Sequence, residues 1–369
     1  MKLRNIIIIS MLLVCILSSA IAQKSADWPS FRGNPAMTGV SSSTLPAKLR
    51  LLWTHETGAE IESTAAIVDD TVYIGTKKKQ VLALNLASGK LKWKFVASDS
   101  VSASPCVAGN AVYIGDENGA FYALNKVNGK MLWKFKANDK IISSAAYANG
   151  MVLFGSYDHN LYCLDVGTGK LKWKFKADAQ VHCSPCVAGD LVIIAGCDGM
   201  VRFINLTTGK ERSAASLDTN LSAAPAYRLG VIYVGTLDGE RVAVRALDAK
   251  VLWRIKDKGR TSGIYASAAV TDNKVIFASR DRVVFAVDPS NGKVRWIYKT
   301  KGDVDSSPVV AGSRVFVGTD TGELLALNIS TGKMIWQFKA GSEVKAAPAI
   351  GKGKMIIGTG DGAIYCFGG

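Results

Sequence analysis

The side chains best suited to metal binding or catalysis in this sequence lie together at His182-Cys183-Ser184-Pro185-Cys186. Imidazole and thiolate groups bind metals, and a thiol beside a histidine can act as a nucleophile. A redox C-x-x-C pair is favoured at a helix N-terminus. This small-residue stretch instead predicts a strand, which would hold Cys183 and Cys186 about 10 Å apart. Two interpretations stay open: the cluster only fills a strand, or Cys183 lies opposite Cys197 on the next strand.

The remaining polar residues offer little further chemistry. The other two histidines, His55 and His159, stand apart from this cluster, and the sequence contains no phosphate-binding loop. Pairs such as Asp198-Gly199 predict hairpin turns rather than calcium loops. Beyond residue 22 there are six cysteines, which export would allow to pair, but they form no evident disulfide framework: Cys106, Cys163, Cys183, Cys186, Cys197 and Cys366.

These residues must be positioned by a repeat. Tryptophan recurs every 40 residues, with one interval of 43 and one slot filled by Ser213, which gives eight copies of one unit. A period of about 40 residues is typical of a propeller, a solenoid or another array. We expect these tryptophans to dock neighbouring units: Trp53, Trp93, Trp133, Trp173, Trp253, Trp296 and Trp336.

One unit, residues 99–138, shows how each copy folds. It contains four short runs rich in β-branched and aromatic residues, separated by turn signals such as Asn118-Gly119 and Asn128-Gly129. Four antiparallel strands per unit make one propeller blade. The sequence therefore predicts an all-β, eight-bladed propeller of four-stranded antiparallel blades. The N-terminal strand around Leu51-Leu52-Trp53 should join the C-terminal blade and close the ring.

Side-chain size predicts the radial order of the strands. The first strand of each unit is built from small residues, as in Ala346-Ala347-Pro348, and should line the channel. The fourth alternates apolar and basic residues, so Leu91, Trp93 and Phe95 should face one way while Lys92 and Lys94 face the other. Such lysines either protect an outer edge from pairing or bind an anionic polymer or lipid surface, in keeping with the formal net charge of +15. We expect no nucleic-acid partner.

The start of the first strands should form the mouth of a funnel, the usual ligand site of a propeller. Aligned units place eight residues there: Glu62, Ser102, Ile142, His182, Ser222, Tyr265, Asp305 and Lys345. This mixed chemistry suits protein or peptide contacts better than one cofactor. The junction of the fourth and fifth blades is irregular, because Ser213 replaces tryptophan and Ala249 replaces the turn glycine. It is either weakly packed or a local partner site.

The N-terminus has the pattern of a secretory signal. Met1 to Arg4 are basic, residues 5–17 are apolar, and Ala20-Ile21-Ala22 predicts cleavage before Gln23. Cys15 follows Val14 rather than a small residue, so lipid anchoring is not expected. The predicted domains are a signal peptide (1–22), a lead-in segment (23–46) and the propeller (47–369). The mature protein should be periplasmic or secreted, and peripheral at an outer membrane if bound there.

The turn before four docking tryptophans reads A-x-[DN]-x-x-[STN]-G-K-x-x-W, as from Ala83 to Trp93 and from Ala326 to Trp336, and Cys163 to Trp173 follows it with cysteine for alanine. This motif resembles the pyrroloquinoline-quinone-like propeller repeat family over residues 47–369, and the segment beginning Asp27-Trp28-Pro29 is similar to the family's lead-in. The resemblance implies one of two branches. One contains quinone-dependent dehydrogenases, and the other is the non-catalytic periplasmic propeller of the outer-membrane β-barrel assembly machine.

The dehydrogenase branch implies residues that this sequence lacks. Its enzymes hold the quinone between an aromatic floor and a disulfide of adjacent cysteines, with Ca²⁺ beside it, but no two cysteines here are adjacent. Trp28 is the one tryptophan outside the docking slots. We therefore expect no enzyme activity, no quinone and no calcium. The first hypothesis is an exported scaffold that binds envelope proteins, with barrel-assembly components among them. The alternatives are a polysaccharide- or polyanion-binding module and a degenerate quinone enzyme.

Overall fold

The described chain forms a ring of eight sheets around one channel. The computed structural model describes residues 26–259 and 261–369, and the predicted signal peptide lies outside them. Each sheet has four antiparallel strands, and one sheet carries a short fifth strand. This confirms the predicted eight-bladed propeller. Within the described part of the chain, no helix has the length and apolar character that crossing a bilayer requires.

Every blade runs from an inner strand at the channel to an outer strand at the rim. The inner strands are β3 (Ala66–Val68), β7 (Cys106–Ala108), β11 (Ala146–Ala148), β15 (Cys186–Ala188), β19 (Ala226–Arg228), β23 (Ala269–Val270), β27 (Val309–Ala311) and β31 (Ala349–Gly351). The second strands are β4 (Thr71–Thr76), β8 (Ala111–Gly115), β12 (Met151–Gly155), β16 (Leu191–Ala195), β20 (Val231–Gly235), β24 (Val275–Ser279), β28 (Arg314–Gly318) and β32 (Lys354–Gly358).

The third strands complete the buried part of each blade. They are β5 (Gln80–Asn85), β9 (Ala120–Asn125), β13 (Asn160–Asp165), β17 (Met200–Asn205), β21 (Arg241–Arg245), β25 (Val283–Val287), β29 (Glu323–Asn328) and β33 (Ala363–Gly368). The outer strands are β6 (Leu91–Val96), β10 (Met131–Lys136), β14 (Leu171–Lys176), β18 (Glu211–Ser216), β22 (Val251–Ile255), β26 (Val294–Lys299), β30 (Met334–Lys339) and β2 (Arg50–Glu56). A two-residue strand, β1 (Val40–Ser41), precedes them.

The two ends of the propeller chain meet in the eighth blade. Strand β2 pairs antiparallel with β33, and Trp53 lies opposite Cys366. The eighth sheet therefore has the order β2-β33-β32-β31. The predicted closure of the ring by the N-terminal strand is confirmed, and no blade in the described chain is left with three strands.

The docking tryptophans tie each blade to the next. The indole of Trp93, for example, donates a hydrogen bond of 3.0 Å to the Lys126 carbonyl of the following blade. A Cβ on Gly129 would lie 2.6 Å from a carbon of the same indole, so only glycine fits there. Five further indoles donate to the next blade in the same way: Trp53, Trp133, Trp173, Trp253 and Trp296. Trp336 instead stacks on Phe338 and contacts Phe367 edge-on.

The irregular fourth junction has one physical cause. At the regular junctions a turn glycine with positive φ lies under the indole, as Gly209 does under Trp173. Ser213 has no indole, so the space above the next turn is free to hold a methyl group. Ala249 occupies that turn with a φ of 57° and is buried. The missing tryptophan therefore removes the contact that requires glycine at position 249.

The predicted facing of the outer strands is wrong at their first residue. A β-bulge separates Leu91 from Trp93, so Leu91 pairs with Leu84 while Trp93 pairs with Ala83. The bulge breaks the two-residue alternation, and the Leu91 side chain is 50% exposed instead of packing beside Trp93. The same register shift recurs in the other outer strands, including β10, β14, β26 and β30.

The lead-in segment closes one end of the channel. Its carbonyls accept hydrogen bonds from inner strands around the ring, such as Val107 to Pro29, Val187 to Pro35 and Val270 to Thr38. Strand β1 adds to β27 in parallel. Trp28 is 1% exposed among residues of the first and eighth blades, and Met37 is fully buried between the fourth and fifth. Because this segment bonds to the inner strands beside the hairpin turns, it covers the end opposite the predicted funnel.

The ring consequently has two distinct faces. The residues predicted to start the first strands lie about four positions before the inner strands, and we call the end that carries them, from Glu62 to Lys345, the funnel face. The other end carries the turns between third and outer strands, such as residues 86–90, and the lead-in; we call it the turn face. In six of these seven turns an Asx side chain at one equivalent position binds the turn amides, as Asn85 does for Ala87 and Ser88; in the fifth blade Arg245 holds that position.

Candidate functional site

The eight residues predicted at the funnel mouth all line one cavity. This cavity has a volume of about 210 Å³ and opens on the funnel face. Its outermost layer is the predicted set, Glu62, Ser102, Ile142, His182, Ser222, Tyr265, Asp305 and Lys345. Phe31 of the lead-in also lines it and forms its floor. The structure thus brings all eight together, while their role in binding stays a prediction.

A belt of hydroxyl groups lies below the mouth. Six side-chain oxygens each accept a hydrogen bond from the backbone N–H of the preceding blade, for example Ser104 from Thr64 at 2.9 Å. The six acceptors are Thr64, Ser104, Ser144, Ser184, Ser267 and Ser307. Ala224 and Ala347 hold the other two positions. Because a serine both accepts and donates, the belt links blades and also presents polar oxygens to the cavity.

Ion pairs fix the charged residues at the mouth. Arg280 binds Asp305 in a bidentate pair of 2.7 and 2.9 Å and lies 3.6 Å above the Tyr265 ring. Hydrogen bonding to Asp305 raises the pKa of Arg280. Lys345 binds Glu343 at 2.8 Å. The charged residues at the mouth are therefore held in ion pairs that neutralise each other, so the mouth has no strong electrostatic potential of a single sign.

Another ion-paired group at the mouth joins the first two blades. Lys77 lies 2.6 Å from Glu117 and 3.5 Å from Glu62, and the Ser102 hydroxyl donates to Glu117. Partial burial by itself lowers the pKa of Lys77, but the hydrogen bonds and negative charges of Glu117 and Glu62 outweigh it and raise that pKa. The lysine is therefore protonated across the physiological range, and both carboxylates on this side are engaged.

His182 forms a neutral hydrogen-bonded chain between the fourth and fifth blades. Its Nδ1 lies 3.1 Å from Cys197 Sγ and its Nε2 lies 3.2 Å from Ser222 Oγ. Burial lowers the pKa of His182 and raises that of Cys197. The pair is thus a thiol and a neutral imidazole, not the thiolate–imidazolium pair of a cysteine nucleophile. The predicted strand over residues 182–185 is wrong, because β15 begins only at Cys186 and Cys197 lies in the turn after β16. The predicted facing of Cys183 and Cys197 is corrected as well: the hydrogen-bond contact of Cys197 is with His182.

The cysteines form no bonded framework. All six in the described chain are free thiols, and five of them are buried. Burial raises the pKa of Cys106, Cys163 and Cys366 to about 12. Among the described residues no group of three His, Cys, Asp or Glu side chains could hold a metal ion.

Thiol accessibility gives a direct test of this arrangement. In a chain that begins at Gln23, we expect one thiol to react with an aromatic disulfide reagent in the native state and six after denaturation, because thiolate formation and access govern the rate. Cys197→Ser should abolish the native reaction, whereas Cys163→Ala should leave it unchanged. Rapid native reaction of two or more thiols would contradict the buried positions.

Arg32 closes the channel beneath the belt. It is fully buried and donates to the carbonyls of Ala268 (2.9 Å) and Pro308 (2.7 Å) in the sixth and seventh blades. Burial lowers the pKa of Arg32 to about 9. A Cβ on Gly39 would collide with this guanidinium, so the lead-in folds tightly around it. Arg32 therefore seals the lead-in to the ring instead of offering charge to the cavity.

Several residues of the site escaped the sequence analysis. Lys77, Glu117 and Arg280 reach the mouth from turns between second and third strands, as does Cys197, which the sequence placed only opposite Cys183. They occupy one equivalent slot of the repeat, so aligning that turn as well as the first strand would have found them. Phe31 had no such signal, because the lead-in does not repeat.

Known proteins share this architecture. The crystal structure of BamB from Moraxella catarrhalis matches with a TM-score of 0.76 at 17% identity, over 88% of this chain and 98% of that one. The computationally designed Ika8 protein matches with a TM-score of 0.77 at 18% identity, over 86% and 99%. Quinohemoprotein alcohol dehydrogenase from Comamonas testosteroni matches with a TM-score of 0.80 at 15% identity, over 93% and 80%. Likeness at this identity shows the fold alone.

The family of this chain can be assigned from sequence comparison. A comparison with curated proteins found no match. A family model described as outer membrane protein assembly factor BamB matches four overlapping segments, residues 45–144, 128–256, 197–307 and 280–367. These segments together span the whole propeller. The chain therefore belongs to the BamB family of eight-bladed, PQQ-like repeat propellers.

Proposed function

We propose that this protein is a non-catalytic scaffold that binds partner proteins during outer-membrane protein assembly. The observation that carries the proposal is the family match, which spans residues 45–367. The fold match to Moraxella catarrhalis BamB supports it, because nearly all of that chain is covered. In keeping with the predicted signal peptide, we place the protein in the periplasm.

We place partner binding at the funnel mouth. Its eight positions carry seven residue types around one ring, among them a tyrosine, a histidine and charged residues held in ion pairs. Aromatic residues and arginine are the usual anchors of protein interfaces. Tyr265 and Arg280 stack on each other at the rim, so they are preorganised and lose little side-chain entropy when a partner binds.

The residues at the mouth do not fit a quinone and its calcium ion. Glu62 and Asp305 are engaged by Lys77 and Arg280, and the described residues offer no group of three metal ligands. The sequence has no adjacent cysteine pair. Six of the docking indoles are committed to carbonyls of the next blade, as with Trp253 to Pro289. We therefore propose no cofactor and derive no reaction.

Photo-crosslinking in the envelope of the source organism tests the scaffold role. A photoreactive residue at position 265 or 345 should capture barrel-assembly proteins, and one at Ser330, exposed on the turn face, should not. Tyr265→Ala should weaken recovery from position 345 about tenfold or more, since an anchoring aromatic contributes about 2 kcal/mol. Capture of no barrel-assembly protein, with unchanged outer-membrane barrel levels in a deletion strain, would contradict the proposal.

A further inference from the structure

A basic residue stands at the same slot of every blade on the turn face. It lies three positions before the docking-tryptophan slot, where the turn enters the outer strand, and each copy is exposed. We call these residues the turn-face cations: Arg50, Lys90, Lys130, Lys170, Lys210, Lys250, Lys293 and Lys333. The blade that lacks its tryptophan keeps its cation. The repeat thus places eight positive charges at one level of the ring.

The turn-face cations are not neutralised by the protein. None of the eight lies within ion-pair distance of a carboxylate among the described residues. Carboxylates on this face pair with other cations, for example Asp69 with Lys126 and Asp272 with Arg228. On the funnel face Lys77, Arg280 and Lys345 at the mouth are paired with acids, whereas Lys136, Lys176 and Lys339 at the funnel ends of outer strands have no ion pair among the described residues. The turn face is therefore distinguished by one unpaired cation from every blade at an equivalent position, and not by holding all the unpaired charge.

An apolar side chain follows the cation in nearly every blade. The β-bulge turns this residue outward, so six large apolar side chains are 36–53% exposed beside the cations: Leu51, Leu91, Met131, Leu171, Val294 and Met334. Val251 holds the seventh position and Glu211 the eighth. Single exposed apolar residues are ordinary, but here each one adjoins an unpaired cation at an equivalent position.

We propose that the turn face docks on the surface of an anionic lipid bilayer. Equivalent positions of a rotational ring lie in one plane, so a flat surface can meet all eight cations together. Basic residues near an anionic leaflet are attracted to its surface potential, and apolar side chains among them can enter the headgroup boundary. The lead-in begins on this face, because the Ala26 carbonyl accepts from Lys352 in a hairpin turn there. Docking would leave the funnel face open to partners.

A soluble polyanion fits these observations less well. A linear polymer crosses a ring at a few points, whereas the charge is spread around the whole ring, and a polymer gains nothing from the apolar residues. The two partners also differ in what they require. Membrane docking needs both the cations and the apolar side chains, while polymer binding needs the cations only.

Vesicle flotation with the chain that begins at Gln23 tests the proposal. We expect binding to vesicles of phosphatidylcholine with 30% phosphatidylglycerol, about tenfold weaker binding to phosphatidylcholine alone, and loss of binding at high salt. The triple variant K130S/K170S/K333S should reduce binding to anionic vesicles at least tenfold. The matched control K136S/K176S/K339S removes the same charge from the opposite ends of the same strands and should stay within twofold.

A second variant distinguishes the bilayer from a polymer. L91S/M131S/L171S changes only side chains about half exposed and should weaken vesicle binding about fivefold while thermal unfolding stays the same. Absence of wild-type binding to anionic vesicles would overturn the proposal, as would equal loss in the two lysine variants. Unchanged binding of the apolar variant, together with displacement by dextran sulfate at matched charge, would assign the face to a polyanion instead.

Discussion

A chain that begins at residue 58 is expected not to form a closed monomeric ring. One that begins at residue 47 should still close the ring, with a lower free energy of unfolding than the chain from Gln23, because it loses the buried Trp28 and Met37. The shorter chain loses β2 and leaves the eighth blade with three strands. Trp53 is partly buried, so its packing should contribute somewhat less than the about 3–5 kcal/mol of a core tryptophan, and the ladder to β33 adds to that. The sum is comparable with the whole stability of an ordinary domain, about 5–15 kcal/mol.

A circular permutant provides the matched control. Phe367 lies opposite Leu51 in the β2–β33 pair as Leu327 lies opposite Met334, so a tight turn copied from residues 330–333 can join residue 369 to residue 51. The permuted chain, residues 58–369 followed by this turn and residues 51–57, should regain a cooperative thermal transition and a monomeric elution volume. A soluble, cooperatively folded monomer of the chain that begins at 58 would contradict the closure argument.

The fourth junction should be repairable, but only by two changes together. In the S213W/A249G variant we expect an unfolding free energy about 1–3 kcal/mol above that of the natural chain, because a docked indole buries a large apolar area. S213W alone should gain nothing or lose about 1–3 kcal/mol, since the indole meets the Ala249 methyl group. At the regular third junction, a Cβ added to Gly209 would lie 2.6 Å from the Trp173 indole.

The reverse pair at the third junction is the control for this cycle. G209A should destabilise the protein strongly beside Trp173 and much less in the W173S background. Denaturant unfolding of the four variants of each cycle gives the coupling energies, which we expect at about 2 kcal/mol with the same sign at both junctions. Additive effects at the fourth junction would mean that Ser213 and Ala249 changed independently.

The repeat made most of the fold and the outline of the site predictable. A pattern that recurs eight times fixes which positions are equivalent, so His182 and Tyr265 could be placed on one ring without any contact being known. The same reasoning failed at Leu91, because the alternation of a strand does not reveal a bulge that is itself repeated. It also missed Phe31 and Arg32, which lie in a segment with no copy to compare.

By itself, the sequence determined the number of blades, the docking role of the tryptophans, the closure by β2 and the membership of the funnel mouth. Each of these conclusions depends on knowing which positions of the repeat are equivalent, and the regular spacing of residues along the chain shows this directly. Only the tertiary structure decided which residues from non-equivalent positions of the repeat contact each other. It showed that His182 is hydrogen-bonded to Cys197, that Arg280 forms an ion pair with Asp305, and that the turn-face cations have no carboxylate partner among the described residues. Such contacts depend on distances of a few ångströms between side chains, and a linear pattern does not encode them.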